Sequence, residues 1–371
     1  MKASTLARWE RKVRPFLTKL PPKAVVAQYS AGRLDFLAKL KEEIPPEAYV
    51  PPAELGRTLW GIHFRSPIMN AAGMFKNGEC YELVARQGAG AYLGGTGTWN
   101  PRTGNEKEGI HLPFAPYPRS RAASNWLGLP NDGDEVNSQR AAGLQRIAGT
   151  PIGWSVMGSP DYQGEEKVRH LVGGMRLYEQ AGVDFMEINE SCPNTSHGKP
   201  QDDDLARRLH YVKELFLEQQ SRKVPVIVKF SNDTQLEQLP ALLDLLFELG
   251  YDGVNFGNSS TAYDLRRESI DPHERVLYHF FTKTFGGGVT GRPLKESSLE
   301  LVAKAVEYLK AGRPTQEFHI IRTGGIETWK DIKESEGAGI SLNQWFTGYF
   351  AAFGEHQHEV YQQLFQDSKI E

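Results

Sequence analysis

From residue 60 onward, short apolar runs alternate with helical patterns eight times, and this alternation constrains the fold more than any other feature of the chain. The strand candidates are Pro67–Ala71, Ala91–Leu93, Ile152–Val156, Phe185–Ile188, Val226–Lys229, Gly253–Phe256, His319–Ile321 and Ile340–Leu342. Helical patterns follow them, for example Glu165–Gln180, Asp203–Gln219, Leu236–Leu249 and Ser298–Leu309. Runs this short and this apolar suit parallel strands buried on both faces. The expectation is an α/β chain folded as a (β/α)8 TIM barrel. A flavodoxin-like open sheet is the alternative, and eight units favour closure.

The length of 371 residues leaves room for one barrel and an appendage. Residues 1–50 read as that appendage, a small N-terminal helical extension, with residues 51–371 as the catalytic barrel. The extension holds ten Lys/Arg against five Asp/Glu and carries proline pairs at Pro21-Pro22, Pro45-Pro46 and Pro51-Pro52. Between Lys23 and Glu43, Val26, Tyr29, Leu34, Leu37 and Leu40 fall at roughly helical spacing. One reading is a cap packed on the barrel. The other is a basic amphipathic element resting on a membrane surface.

Charge and cysteine usage narrow the chemistry. A net charge of −3 attracts no polyanion as a whole, so no nucleic-acid partner is expected. Two cysteines, Cys80 and Cys192, cannot hold a four-cysteine iron–sulfur cluster or a cysteine-rich zinc site. An electron carrier here is therefore organic, and no metal is expected. With no secretory h-region and no apolar run of membrane-spanning length, the expected location is cytoplasmic, with peripheral contact on the cytoplasmic membrane face through the extension.

Two long connections, residues 97–133 and 259–293, leave the C-terminal ends of strands, where barrel active sites are built. Polar residues gather at those ends: Lys76, Asn125, Asn189, Cys192, Asn194, Lys229, Asn258 and Ser259. Singly, each has a bland reading as a turn amide or a snorkelling lysine. Together they offer the donors and acceptors that a pyrimidine or an isoalloxazine edge requires. Gly286-Gly287-Gly288, read as preceding a helix, and Gly324-Gly325, with Thr347 after the last strand, suit a phosphate held by backbone N–H groups. Cys192 follows a strand end, where an inert core thiol is less expected, and could serve as a general base. Cys80 falls at a presumed helix start and reads as structural.

From about Gly61 to Gln363 the motifs resemble the dihydroorotate dehydrogenase family, in family order: AAGMFKNGE, NPRTGN with SNWLGLPNDG, INESCPNT, VIVKFSND, GGVTGRPL, RTGGIET and NQWFTG. The resemblance implies FMN across the barrel mouth, contacted by Ala72, Gly73, Lys76, Thr96, Ser155, Asn189, Lys229, Gly257, Gly288, Gly324, Gly325, Phe346 and Thr347. It implies a dihydroorotate/orotate site formed by Lys76, Asn125, Leu127, Gly128, Leu129, Asn189, Asn194, Asn258 and Ser259. Cys192 takes the place of the base that removes the C5 proton while hydride passes from C6 to flavin N5, and Lys229 stabilises the anionic reduced ring.

Subclass features are mixed. The cysteine base, the GKPQ run and the LGLPN loop look like the soluble class 1 enzymes; the GMFKNGE loop and the appended N-terminus look like the membrane-associated class 2 enzymes. Class 1 enzymes place their lysine after the second strand, where this chain has Gly94-Gly95, and Glu190 stands where an apolar residue is typical. Quinone is favoured over fumarate as acceptor by a small margin. Rival readings are a dihydrouridine synthase, a dihydropyrimidine dehydrogenase, or a catalytically dead barrel scaffold. The first needs a basic RNA surface and the second iron–sulfur clusters; the retained Lys76, Cys192, Asn194 and Lys229 argue against the third.

Overall fold

The computed structural model describes residues 1–190, 204–312 and 316–366. Eight parallel strands form the barrel in chain order: Ile68–Asn70, Tyr92–Gly97, Ile152–Val156, Phe185–Asn189, Val226–Phe230, Gly253–Phe256, His319–Thr323 and Leu342–Trp345. From the second to the eighth each pairs with the next, and the eighth returns to the first through Gln344 opposite Met69, which leaves one seam between the first and second. A side chain closes the seam between the first and second strands. The Asn70 amide donates to the Leu93 carbonyl (2.8 Å) and accepts from the Leu93 N–H (3.2 Å).

All eight expected strands occur, with one correction. The eighth begins at Leu342 rather than Ile340, because the Ile340 N–H is spent on the Ser335 carbonyl of the preceding helix. Asn343 and Gln344 disguised the strand by interrupting its apolar run, although both are fully buried. The expected helices appear as Gly164–Gln180, Leu205–Leu215, Leu239–Leu249 and Lys295–Gly312, the second followed and the third preceded by a short 3₁₀ turn.

Alternate residues of each strand point inward. At the N-terminal end the hairpin Arg57–Leu59/Ile62–Phe64 plugs the barrel. Its Leu59 and Phe64 share one apolar cluster with Met69, Leu93, Phe185, Ile227, Ile321 and Leu342. Two residues further along the same strands the inward layer turns polar, and this is where the site begins.

The extension forms two helices, α1 (Ala3–Leu17) and α2 (Pro22–Leu40), the first of which the sequence pattern did not separate. Helix α1 packs on the helix Thr347–His356, and α2 packs on the strand Phe114–Tyr117 and the helix Arg275–Thr284. Val25, Val26 and Leu40 are buried in these contacts. On α1, Trp9 is 57% and Phe16 71% exposed. Among the described residues, no helix is long and apolar enough to cross a membrane.

The two long connections meet. Phe114–Tyr117 and Ala122–Asn125 form a hairpin, and Gly288–Gly291 from the second connection pairs antiparallel with Ala122–Asn125. The glycines at 286–288 therefore lead into a strand before the helix, not directly into the helix. The Gly287 Cβ position would lie 2.1 Å from the Asn125 carbonyl oxygen, so the close approach of the two loops demands glycine there.

Candidate functional site

Two hydrogen-bond networks make up the barrel mouth. The lower one is centred on Glu187, fully buried on the fourth strand. Its carboxylate accepts from Lys229 Nζ at 3.3 Å, Asn255 Nδ2 at 2.8 Å and Gln344 Nε2 at 2.8 Å. Thr323 Oγ1 lies 3.0 Å from Asn255 Oδ1 and 3.1 Å from Gln344 Oε1, which turns both NH₂ groups toward the carboxylate. Three strands thus contribute the partners of one buried acid, and a fourth orients two of them.

The upper network joins strand ends. Ser155 Oγ and Thr96 Oγ1 are 3.0 Å apart, Asn189 Nδ2 donates to Thr96 Oγ1 (3.3 Å), and Asn258 Nδ2 donates to Asn189 Oδ1 (3.1 Å). The second strand bulges here to admit the chain, with Gly95 at φ +86°. An added Cβ at Gly95 would stand 2.1 Å from the Ser155 carbonyl oxygen.

A cleft opens above these networks. Of the residues expected at a cofactor or substrate, Ala72, Gly73, Lys76, Thr96, Asn125, Leu127, Leu129, Asn189, Lys229, Gly257, Asn258, Ser259, Gly324, Gly325, Phe346 and Thr347 line it. Ser155 stands behind Thr96, Gly128 packs against Asn105, and Gly288 pairs with Asn125, so these three do not line the cleft. Cys192 and Asn194 lie outside the described residues. Burial pushes the Cys80 thiol up, away from reactivity, consistent with a structural place at the start of the helix Tyr81–Gln87.

Sequence reasoning missed Asn232, Thr323, Gln344 and Arg33, which line the cleft, and Glu187 beneath it. A signal existed for two: Glu187 and Gln344 are polar residues at inward positions of otherwise apolar strands. Arg33 gave none, since it comes from α2. Its guanidinium is drawn down to about 10 by burial, with Glu79 pulling the other way, so it stays charged at neutral pH.

The donor set suits a planar heteroaromatic ring carrying a terminal phosphate. Asn232 Nδ2 is tied to the Asn258 and Thr323 carbonyls, while its buried Oδ1 has no partner among the described residues. At the far end of the cleft the Gly324-Gly325 turn, with Gly325 at φ +70°, meets the N-terminus of the helix Thr347–His356. Backbone N–H groups at such a turn and helix start favour an anion. Ser298 Oγ holds the turn through the Gly324 carbonyl (2.8 Å), and Arg322 Nε donates to that hydroxyl (3.0 Å).

A second cavity, of about 810 Å³, lies between α1, α2 and the helix Thr347–His356. Leu6, Trp9, Leu17, Phe36, Leu37 and Phe350 give it mostly apolar walls. It shares Arg33, Phe114, Phe346 and Thr347 with the cleft.

Comparison with known proteins adds to this geometry. The model of the dihydroorotate dehydrogenase family matches residues 54–366. A relative from Cyanothece sp. named dihydroorotate dehydrogenase (quinone) is 30% identical over 312 residues, covering 84% of this chain and 79% of that protein. One of the same name from Aliivibrio fischeri is 31% identical over 298 residues, covering 78% and 81%. The fold is similar to the dihydroorotate dehydrogenase of Eimeria tenella crystallised with ferulenol, with a TM-score of 0.74, 22% identity and 92% of each chain covered.

Proposed function

The chain belongs to the dihydroorotate dehydrogenase family, and from that membership we propose that it oxidises dihydroorotate to orotate, a step of pyrimidine biosynthesis, and passes the electrons to a quinone. The observation that carries the acceptor is the apolar cavity beneath α1 and α2, which shares a wall with the polar cleft. A lipid-borne ring fits such a cavity, whereas a dicarboxylate such as fumarate finds mostly apolar walls there. The lysine in the AAGMFKNGE loop points the same way, against the class 1 features of the LGLPN loop.

We assign FMN to the cleft and residues 51–371 to the barrel that binds it. When bound, FMN supplies a two-electron acceptor at the barrel mouth. Lys229 would place a cation beside the ring, Thr96 and Asn189 would bond it, and the amides around Gly324, Gly325 and Thr347 would hold the phosphate. The paired glycine turns suit one terminal phosphate; the GxGxxG pattern at Gly286–Gly291 runs into the strand Gly288–Gly291 instead of joining a strand to a helix, so it is no dinucleotide fingerprint. Asn125, Asn189, Asn258 and Ser259, with Asn194 by the family resemblance, would bond the substrate's amides, and Lys76 would offset its carboxylate. Cys192 removes the C5 proton. The rim of Trp9 and Phe16 on α1, among Lys12 and Lys19, meets the membrane that carries the quinone, giving a peripheral protein on the cytoplasmic face.

Anaerobic reduction of the yellow protein by dihydroorotate, then reoxidation by quinone, fumarate or NAD⁺ in turn, tests the reading. Failure of dihydroorotate to bleach the flavin removes the substrate. Reoxidation by fumarate faster than by quinone removes the acceptor. Cofactor released by heat is expected to have the mass of FMN, and FAD in its place would end that assignment.

A further inference from the structure

Glu187 is the acid that the proposed chemistry leaves unused. A buried carboxylate is costly unless it is paired and hydrogen-bonded, and a barrel needing only packing has no use for one. The inward layer directly below is apolar, and Ile227 shows what fills an equivalent position on the next strand. Both carboxylate oxygens of Glu187 are nevertheless engaged, Oε1 by Lys229 and Oε2 by Asn255 and Gln344. Among the described residues Glu187 is the carboxylate within ion-pair reach of Lys229, and the two side chains are 0% and 4% exposed.

We propose that Glu187 is a positioning residue that holds Lys229 as its counter-ion and, by offsetting that charge, lowers the reduction potential of the flavin. The inference rests on the reading that flavin binds beside Lys229. A reduced flavin carries negative charge at the ring edge, so a cation there favours the reduced form, most strongly where water is excluded. An unopposed lysine would make the ring easy to reduce and slow to give up its electrons. A carboxylate 3.3 Å from the ammonium takes back part of that preference. Asn255 and Gln344 fix the carboxylate in place, and Lys229 Nζ also reaches Gln344 Oε1 at 3.4 Å, so the ammonium keeps its aim. Among the described residues, Lys76 and Arg33 are the other charged groups lining the cleft. Both are cations, which leaves Glu187 the opposing charge in this set.

The test is the two-electron midpoint potential of the holoenzyme at pH 6, measured by reductive titration against a reference dye. Glu187→Gln is expected to raise the potential by about 30 mV, the equivalent of a tenfold change in the equilibrium between oxidised and reduced ring. Glu187→Asp, which keeps the charge, is expected to stay closer to the parent. In a Lys229→Met background, Glu187→Gln is expected to shift the potential much less, because the ammonium that the carboxylate offsets is gone. An unchanged or lowered potential in the single variant overturns the proposal, as does an equal shift without Lys229. A colourless parent protein would instead overturn the flavin reading beneath it.

Discussion

At the barrel mouth, Glu187, Lys229, Asn255 and Gln344 satisfy one another's hydrogen-bonding groups from four different strands. Across a shared wall, the cavity under α1 and α2 has Leu6, Leu17, Phe36 and Phe350 on its apolar side, which recognise shape, with Arg11, Arg14 and Arg121 also in its lining. In the first region a single atom change leaves a buried partner unsatisfied, which costs more than the bond itself is worth. In the second, similar volumes can replace one another at little cost. Substrate chemistry should therefore fail sharply under mutation, and acceptor chemistry gradually.

The largest effect on turnover is expected at Cys192. Cys192→Ala should slow flavin reduction by dihydroorotate about 10²- to 10⁴-fold while flavin stays bound. Stopped-flow bleaching at the parent rate would place the base elsewhere and blunt the contrast between the regions. Cys192→Ser should keep some activity and move its pH profile upward, because a hydroxyl releases its proton less readily. Next comes Lys76→Ala, which removes a charge-assisted bond to the substrate carboxylate and should weaken orotate by roughly 1.5–3 kcal/mol. A flavin titration giving parent affinity would mean that Lys76 does not meet the ligand.

On the apolar side the change should be milder. Ala7→Trp puts bulk into the cavity wall and should raise the quinone KM about tenfold, roughly 1.4 kcal/mol. Single-turnover reduction by dihydroorotate should not move. If both half-reactions slow together, the two cavities are not separate in function. Removing residues 1–50 outright would be a blunter test, because Val25, Val26 and Leu40 are part of the core.

The smallest effect on turnover, none, is expected at Asp134, which lines neither cavity. It is 1% exposed, and burial pushes its carboxyl up to about 7 although the Tyr178 hydroxyl donates to it at 2.9 Å. The folded chain thus keeps a proton that the unfolded chain releases from about pH 4 upward. Stability on this account falls as pH rises from about 4 to 7, and the loss then persists. Asp134→Asn can still accept from Tyr178 and should flatten that slope. Urea midpoints at pH 5 and pH 8 that fall equally in parent and variant would show that Asp134 is ionised at little cost.

The barrel was legible because its strands are apolar on both faces and its helices keep their period. The misplaced eighth strand and the missed Glu187 and Gln344 share one cause: the inward layer turns polar at the mouth, where apolar patterning ceases to mark a strand. Local motifs led to Lys76, Asn189, Lys229 and Asn258 because Asn189 closes its strand, Lys229 stands one residue before the end of its own, and Lys76 and Asn258 lie in the loops that follow theirs. Arg33 could not be found that way, since nothing in residues 1–50 says which barrel loop α2 will cover. The pairing of the two long connections was equally hidden, as neither strand has enough length or alternation to announce a partner.

That pairing also dictates when the mouth can take shape. Asn125 and Gly288 are 163 positions apart, yet they sit opposite each other in the sheet over the cleft. Contacts between such distant segments come late, because the intervening chain must lose its freedom first. A nascent chain halted before residue 288 can hold several βα units but no roof over them. Capture of the cofactor should thus wait until synthesis is nearly complete, and unfinished chains should leave the ribosome unable to take up flavin.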